Sequence, residues 1–158
     1  MKIIAFSETA DAPFFGILKT FERADKCQVL RFCTAKDFKE AVRTNIAPKP
    51  VILFSAVERS QFRHLQDIRD YLFDSILLLI VPNEEHYQSF QKESAIYPRY
   101  VFYKEDEQQL LPSVLTKLGE KIAISQIEQS SCIPEKKRWS FDTKKNSDDS
   151  EIIRDTQA

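Results

Sequence analysis

Glycine is nearly missing from this chain: of 158 residues only Gly16 and Gly119 are glycine, where average usage of roughly 7% would supply about eleven. The shortage excludes the loops that bring backbone against a phosphate. A dinucleotide fingerprint needs three closely spaced glycines and a P-loop needs two, because only a residue without Cβ lets the main chain approach that closely. Cysteine is scarce and odd in number, and the five residues between Cys27 and Cys33 fit neither a zinc ribbon nor a redox CxxC pair, with Cys132 far away. The expectation is reduced thiols in a cytoplasmic protein. Long apolar runs are absent as well. Ile3 to Phe6 is too short for a signal-peptide core of roughly 7 to 15 residues, and the longest run, Ile76 to Val81, spans six residues against the roughly 18 that cross a bilayer. His64 and His86 are the only imidazoles, so a histidine-rich metal site or a Ser-His-Asp triad has few members to draw on. A net charge of -1 gives no reason to expect nucleic acid or an anionic membrane as partner.

What is present is apolar material for one core, 42% hydrophobic residues with 12 Phe, arranged as short apolar runs alternating with helical periods. Lys2 to Phe6 is the first run. Asp11 and Pro13 open a helix whose Phe14, Leu18 and Phe21 share a face. Gln28 to Cys33 is the second strand, and Thr34-Ala-Lys-Asp37 reads as a capping-box-like start for a helix burying Phe38, Ala41 and Val42. Pro48 and Pro50 bracket the turn into Val51 to Phe54, a continuous apolar run of the kind found in strands covered on both faces. The third helix carries Phe62, Leu65, Ile68 and Leu72. Ile76 to Val81 is the fourth strand, stopped by Pro82, and Asn83 caps the next helix with Glu84 and Glu85 at its positive end. That helix ends before Tyr97-Pro98. Tyr100 to Tyr103 is the fifth strand. Leu111, Val114, Leu115 and Leu118 mark a last helix, started near Gln109 so that Pro112 falls in its first turn, and either ended by Gly119 or extended through Ile122 and Ile127.

Five strand-helix units with short connections imply an α/β, doubly wound parallel sheet with right-handed crossovers and helices on both faces. After about Ser125 this texture stops. Residues 126–158 carry Lys136-Lys-Arg-Trp-Ser-Phe141 and then charges of alternating sign, and read as an exposed arm after a domain spanning residues 1–125. Trp139 in that arm is as well explained by folding back as by binding a partner.

Three stretches carry a likeness. Lys2-Ile-Ile-Ala-Phe6 followed by Ser7-Glu8, Asp37-Phe-Lys-Glu-Ala-Val42 leading to Pro50-Val-Ile-Leu-Phe54, and Val101-Phe-Tyr-Lys104 leading to Leu110-Leu111 resemble the receiver domain of bacterial response regulators. The resemblance covers roughly residues 1–120 and includes the helix His64-Leu-Gln-Asp-Ile-Arg69. It implies a flavodoxin-like fold with strand order 2-1-3-4-5. It also implies a crevice at the strand C-termini, where the family holds Mg²⁺ on an acidic pair and phosphorylates an aspartate at the end of the third strand. A hydroxyl ending the fourth strand and a lysine ending the fifth contact that phosphoryl group. Carried onto this chain, the acidic pair becomes Ser7 and Glu8, the phosphoacceptor Ser55, the hydroxyl Val81 and the lysine Lys104, with Glu105 in place of the usual proline.

These departures imply a degenerate receiver, a pseudo-receiver that has lost aspartyl phosphorylation. A serine needs a base where an aspartate is already an anion, and one acid binds Mg²⁺ weakly. The leading expectation is therefore a non-enzymatic two-component-type signalling or scaffold module with no catalytic residue, metal or cofactor. Its partner would be a protein, a second copy of the chain included, met through the fourth and fifth helices and the strand between them, with Tyr87, Phe90, Tyr97 and Tyr100 contributing. The alternative is a flavodoxin-like small-ligand or enzyme domain using the same crevice. Plainer roles weigh against special ones elsewhere. Lys104 reads as solvated or paired with Glu8, Ser55 as a small residue ending a buried strand, His64 and His86 as surface residues, and Cys27 and Cys33 as small apolar side chains.

Overall fold

A computed structural model describes residues 1–131, with side chains through residue 128. Five strands, β1 (Lys2–Phe6), β2 (Gln28–Phe32), β3 (Val51–Ser55), β4 (Ile76–Val81) and β5 (Tyr100–Tyr103), pair in parallel in the order β2-β1-β3-β4-β5. Helices α1 (Pro13–Arg23), α2 (Ala35–Thr44), α3 (Phe62–Asp67), α4 (Glu84–Glu93) and α5 (Glu107–Ser131) alternate with them. This is the flavodoxin-like, doubly wound arrangement. The chain divides into two units between Gly119 and Glu120. Trp139 and the rest of the expected arm from Cys132 onward lie outside the described residues.

The sheet's two faces follow from strand alternation. Ile4, Phe6, Ile52, Phe54, Leu77, Leu79 and Val81 point to one face and pack with Phe38 and Val42 of α2, Phe62 and Leu65 of α3, and Phe90 of α4. Ile3, Ala5, Leu53, Leu78 and Ile80 are equally buried, which leaves α1, through Phe14 and Leu18, and α5, through Leu111 and Leu115, to cover the other face. Phe6 stacks on Phe54 with ring centroids 4.9 Å apart and tilts against Phe38 at 5.1 Å. Each such aromatic pair contributes about 0.5–1.5 kcal/mol beyond the area it buries.

Local differences from the sequence reading have physical causes. The third helix is broken: α3 is flanked by single 3₁₀ turns at Arg59–Gln61 and Arg69–Tyr71. The buried residues Phe62 and Leu65 of α3 and Ile68 at its C-cap recur every three positions, the repeat of the tighter helix. Thr34 precedes α2 as expected, but its hydroxyl donates to Asp37 Oδ2 at 2.8 Å and makes no bond to a helix N–H. Asn83 does cap α4, accepting from the His86 N–H at 3.0 Å. The last helix starts at Glu107, so Pro112 stands in its second turn and leaves the Gln108 carbonyl without its helical donor. That costs roughly 3 kcal/mol, which burial of Leu111, Leu115 and Leu118 at about 1.5–3 kcal/mol each offsets. The helix also runs past Gly119, so residues 126–131 continue α5 where an arm was expected.

Candidate functional site

The register gathers the strand ends. Phe6 lies level with Phe54, Ser55 with Ile80, and Val81 with Tyr103. The ladders continue one residue further: Ser7 N–H donates to the Phe32 carbonyl at 3.2 Å, Ala56 N–H to Ile80 at 2.9 Å, and Lys104 N–H to Val81 at 3.1 Å. Ser7, Ser55, Val81 and Lys104 therefore stand at one end of the sheet.

Alternation then separates them. Phe6 and Phe54 face the α2–α4 side, as does Val81, so Ser7 and Ser55, each one residue further on, turn to the α1–α5 side. Ser7 is 2% and Ser55 6% exposed, and the Ser7 hydroxyl accepts the Thr9 N–H at 3.2 Å. Lys104 follows Tyr103, which packs on the α2–α4 core, and so joins the two serines. Val81 is fully buried in the opposite core and offers no group to the crevice.

The charges are split in the same way. Lys104 is exposed and, among the described residues, pairs with no carboxylate; its field falls on Glu107 at the start of α5. Glu107 is 4% exposed, and burial pushes its carboxyl above the ordinary range while Lys104 draws it partly back. Glu8 is exposed, and its charge acts on His64 of α3. A Glu8–Lys104 pair is thus not formed. No group of three or more His, Cys, Asp or Glu side chains among the described residues is placed to hold a metal ion. The residues at this end do not fit Mg²⁺ as the receiver family holds it, since the cation wants several hard oxygen ligands and the carboxylates here serve separate neighbours.

Three contributors escaped the sequence reading. Gln61, 5% exposed, turns its side-chain carbonyl back to accept the Val57 and Glu58 N–H groups at 2.6 and 3.1 Å, closing the loop after β3. Glu107 lies three residues after Lys104, a spacing visible in the sequence once the helix start is moved two residues earlier. His64 is the third. It is half-buried, not a surface residue, with Nδ1 shielded from water and lacking a hydrogen-bond partner. Burial, then the Lys39 charge, holds its pKa below the ordinary 6.5, with Glu8 and Asp67 opposing. His86 is half-buried too, its Nδ1 2.8 Å from Asn83 Oδ1.

The expected partner face is also redistributed. Phe90 is fully buried against Phe62, ring centroids 4.7 Å apart, and is withdrawn from any contact surface, because the inward stripe of α4 is needed to cover the sheet. Tyr87 is half-buried and accepts a hydrogen bond from Gln91 at 2.9 Å. Tyr100 is half-buried, and Tyr97 is 85% exposed at the opposite end of the sheet from the crevice. Cys33 is exposed, not an apolar core residue; Cys27 is half-buried, and burial pushes its thiol pKa up from 9.0.

Chemically, the crevice offers two buried hydroxyls and one ammonium. No hydrogen bond among the described residues links the Ser55 hydroxyl to a base, the kind of contact that activates a serine nucleophile. Among the described residues no helix is long and apolar enough to cross a membrane. No family model matches the chain, and no curated protein does. Among solved structures the chain is similar to a response regulator receiver protein from Dyadobacter fermentans, with a TM-score of 0.54 at 17% sequence identity, covering 74% of this chain and 96% of that one. The fold of this chain is that of a receiver.

Proposed function

We propose that the chain is a degenerate receiver, a signalling or scaffold module that works through protein contacts, without phosphoryl transfer to an aspartate and without catalysis of its own. The observation that carries this reading is Ser55. It ends β3, where the receiver family places its phosphoacceptor aspartate, and it is a buried hydroxyl with no base hydrogen-bonded to it. Val81, packed in the core, removes a second phosphoryl ligand. Of the family's phosphoryl ligands the lysine is matched by Lys104, whose charge acts on Glu107. With Phe90 withdrawn, the contact surface falls to Tyr87, Tyr97 and Tyr100, around α4 and β5.

Incubating the full chain with Mg²⁺ and acetyl phosphate, or with beryllofluoride, tests the proposal. Intact-mass spectra without a phosphoryl adduct and an unchanged amide NMR spectrum are expected. A stoichiometric adduct, or beryllofluoride-induced shifts clustered at Glu8, Ser55 and Lys104, would overturn it.

A further inference from the structure

At the end of the sheet opposite the crevice, where β4 begins and the chain enters β5, the surface opens into a cavity of about 420 Å³. That volume lies within the roughly 300–1,000 Å³ of ordinary ligand sites. Leu72 and Ile96 line its apolar part, and Arg69, Phe73, Tyr97 and Arg99 also line it. Phe73 is 78% and Tyr97 85% exposed, the two most exposed aromatic side chains among the described residues. Large aromatic rings left in water on the same cavity are surface that a partner would desolvate favourably.

The charge at this cavity has one sign. Arg69 and Arg99 are the only charged residues lining it, and among the described residues neither makes an ion pair or a side-chain hydrogen bond. Three basic side chains elsewhere in the domain have found partners, Arg31 with Glu22, Lys39 with Asp67, and Arg59 with Ser89 and Glu93. The backbone beneath is pinned, with the Arg99 N–H donating to the Leu77 carbonyl at 2.8 Å and Ile76 N–H to Pro50 at 2.9 Å. Two free guanidinium forks, each suited to a carboxylate, thus share an apolar cavity with two unpacked rings. Arginine and aromatic side chains of this kind dominate the energetics of protein interfaces.

We propose that this cavity is the docking site for an acidic segment of a partner protein that presents one apolar side chain between carboxylates. The apolar side chain sits on Leu72 and Ile96, flanked by Phe73 and Tyr97, and the carboxylates engage Arg69 and Arg99. The inference rests on the protein-contact part of the function proposed above and is independent of whether the crevice accepts a phosphoryl group.

The test is an NMR titration of the ¹⁵N-labelled full chain with the capped peptide Ser-Asp-Glu-Leu-Glu-Asp-Ser. Saturable shifts at Arg69, Phe73, Tyr97 and Arg99 are expected, with affinity weakened about tenfold or more in the R69Q/R99Q double variant. Replacing the peptide's leucine by serine should weaken binding too, as should F73S in the protein. Far-UV circular dichroism checks that these exposed substitutions leave the fold intact. The proposal is overturned if the peptide does not saturate by about 1 mM, binds the arginine variant equally well, or shifts residues at the strand C-termini instead. Phenylacetate binding as tightly as the peptide would likewise overturn it, assigning the cavity to a small carboxylate. Failure here with a silent crevice leaves the loss of phosphorylation standing, whereas a phosphorylated crevice with intact peptide binding removes only that part of the functional proposal.

Discussion

The His64 imidazole stands edge-on to the Phe6 ring, with centroids 6.2 Å apart and planes at 75°. The contact places a titratable ring against the aromatic cluster at the end of β1. Its Nδ1 is shielded from solvent and has no hydrogen-bond partner among the described residues, and burial, reinforced by Lys39, lowers its pKa from 6.5 against the pull of Glu8 and Asp67.

The sign of the pH dependence follows. The folded state disfavours imidazolium, so the unfolded chain binds the proton more readily. The contribution of neutral His64 is complete above the unfolded value near 6.5 and is lost as pH falls through the lowered folded value. Urea midpoints should therefore decline between about pH 7 and pH 5, and His64→Phe should flatten that decline. An unchanged slope in the variant would remove His64 as its cause. Asp67 does not confuse the measurement: its hydrogen bond from Lys39 lowers its pKa from 3.8, so its loss falls at more acid pH.

The glycines stand where helix geometry does not call for them. Gly16 lies exposed within α1, and a Cβ there would meet nothing within 4 Å. Gly16→Ala should stabilise the protein by about 0.5–1 kcal/mol. Asp25, by contrast, closes α1 at a φ of 54°, in the left-handed region that glycine adopts without strain. Its N–H donates to the Glu22 carbonyl and that of Lys26 to Phe21, at 3.1 and 3.2 Å. Asp25→Gly should add up to about 1 kcal/mol by relieving the Cβ contact, net of glycine's greater unfolded-state freedom. Thermal melts of the two variants and their combination check both values.

Lys104 and Glu107 form the remaining charged relationship of the crevice. Removing the ammonium in Lys104→Met leaves burial acting alone on the carboxyl, so the Glu107 pKa should rise further. A carboxyl raised in the fold favours the native state below its unfolded value near 4.5 and loses that advantage as pH rises through the folded value. The variant should therefore be less stable than the parent at about pH 7 and equal to it at about pH 4. Side-chain carboxyl NMR titration reads the shift directly, and a Glu107 resonance that titrates as in the parent would break the link.

The sequence carried the local elements because they rest on local chemistry. Val51 to Phe54 and Ile76 to Val81 are apolar without alternation, which only a doubly covered strand tolerates, and Asn83 caps α4 through its own neighbour His86. Where two local solutions compete, reading fails. Thr34 can bond a helix N–H or Asp37, and takes Asp37. Pro112 by itself favours a first turn, but the buried leucines of α5 hold it in the second.

Local sequence is enough to set the strands and helices and the residues at each strand end, Ser7, Ser55, Val81 and Lys104. Tertiary structure alone decided which of these share a side. Register and alternation turn Ser7, Ser55 and Lys104 one way and bury Val81 the other, and packing draws Phe90 and His64 inward while Tyr97 stays out beside two free arginines. The physical reason is range. Period and capping act over a few residues, whereas the neighbours of a strand-end side chain come from helices and strands dozens of positions away.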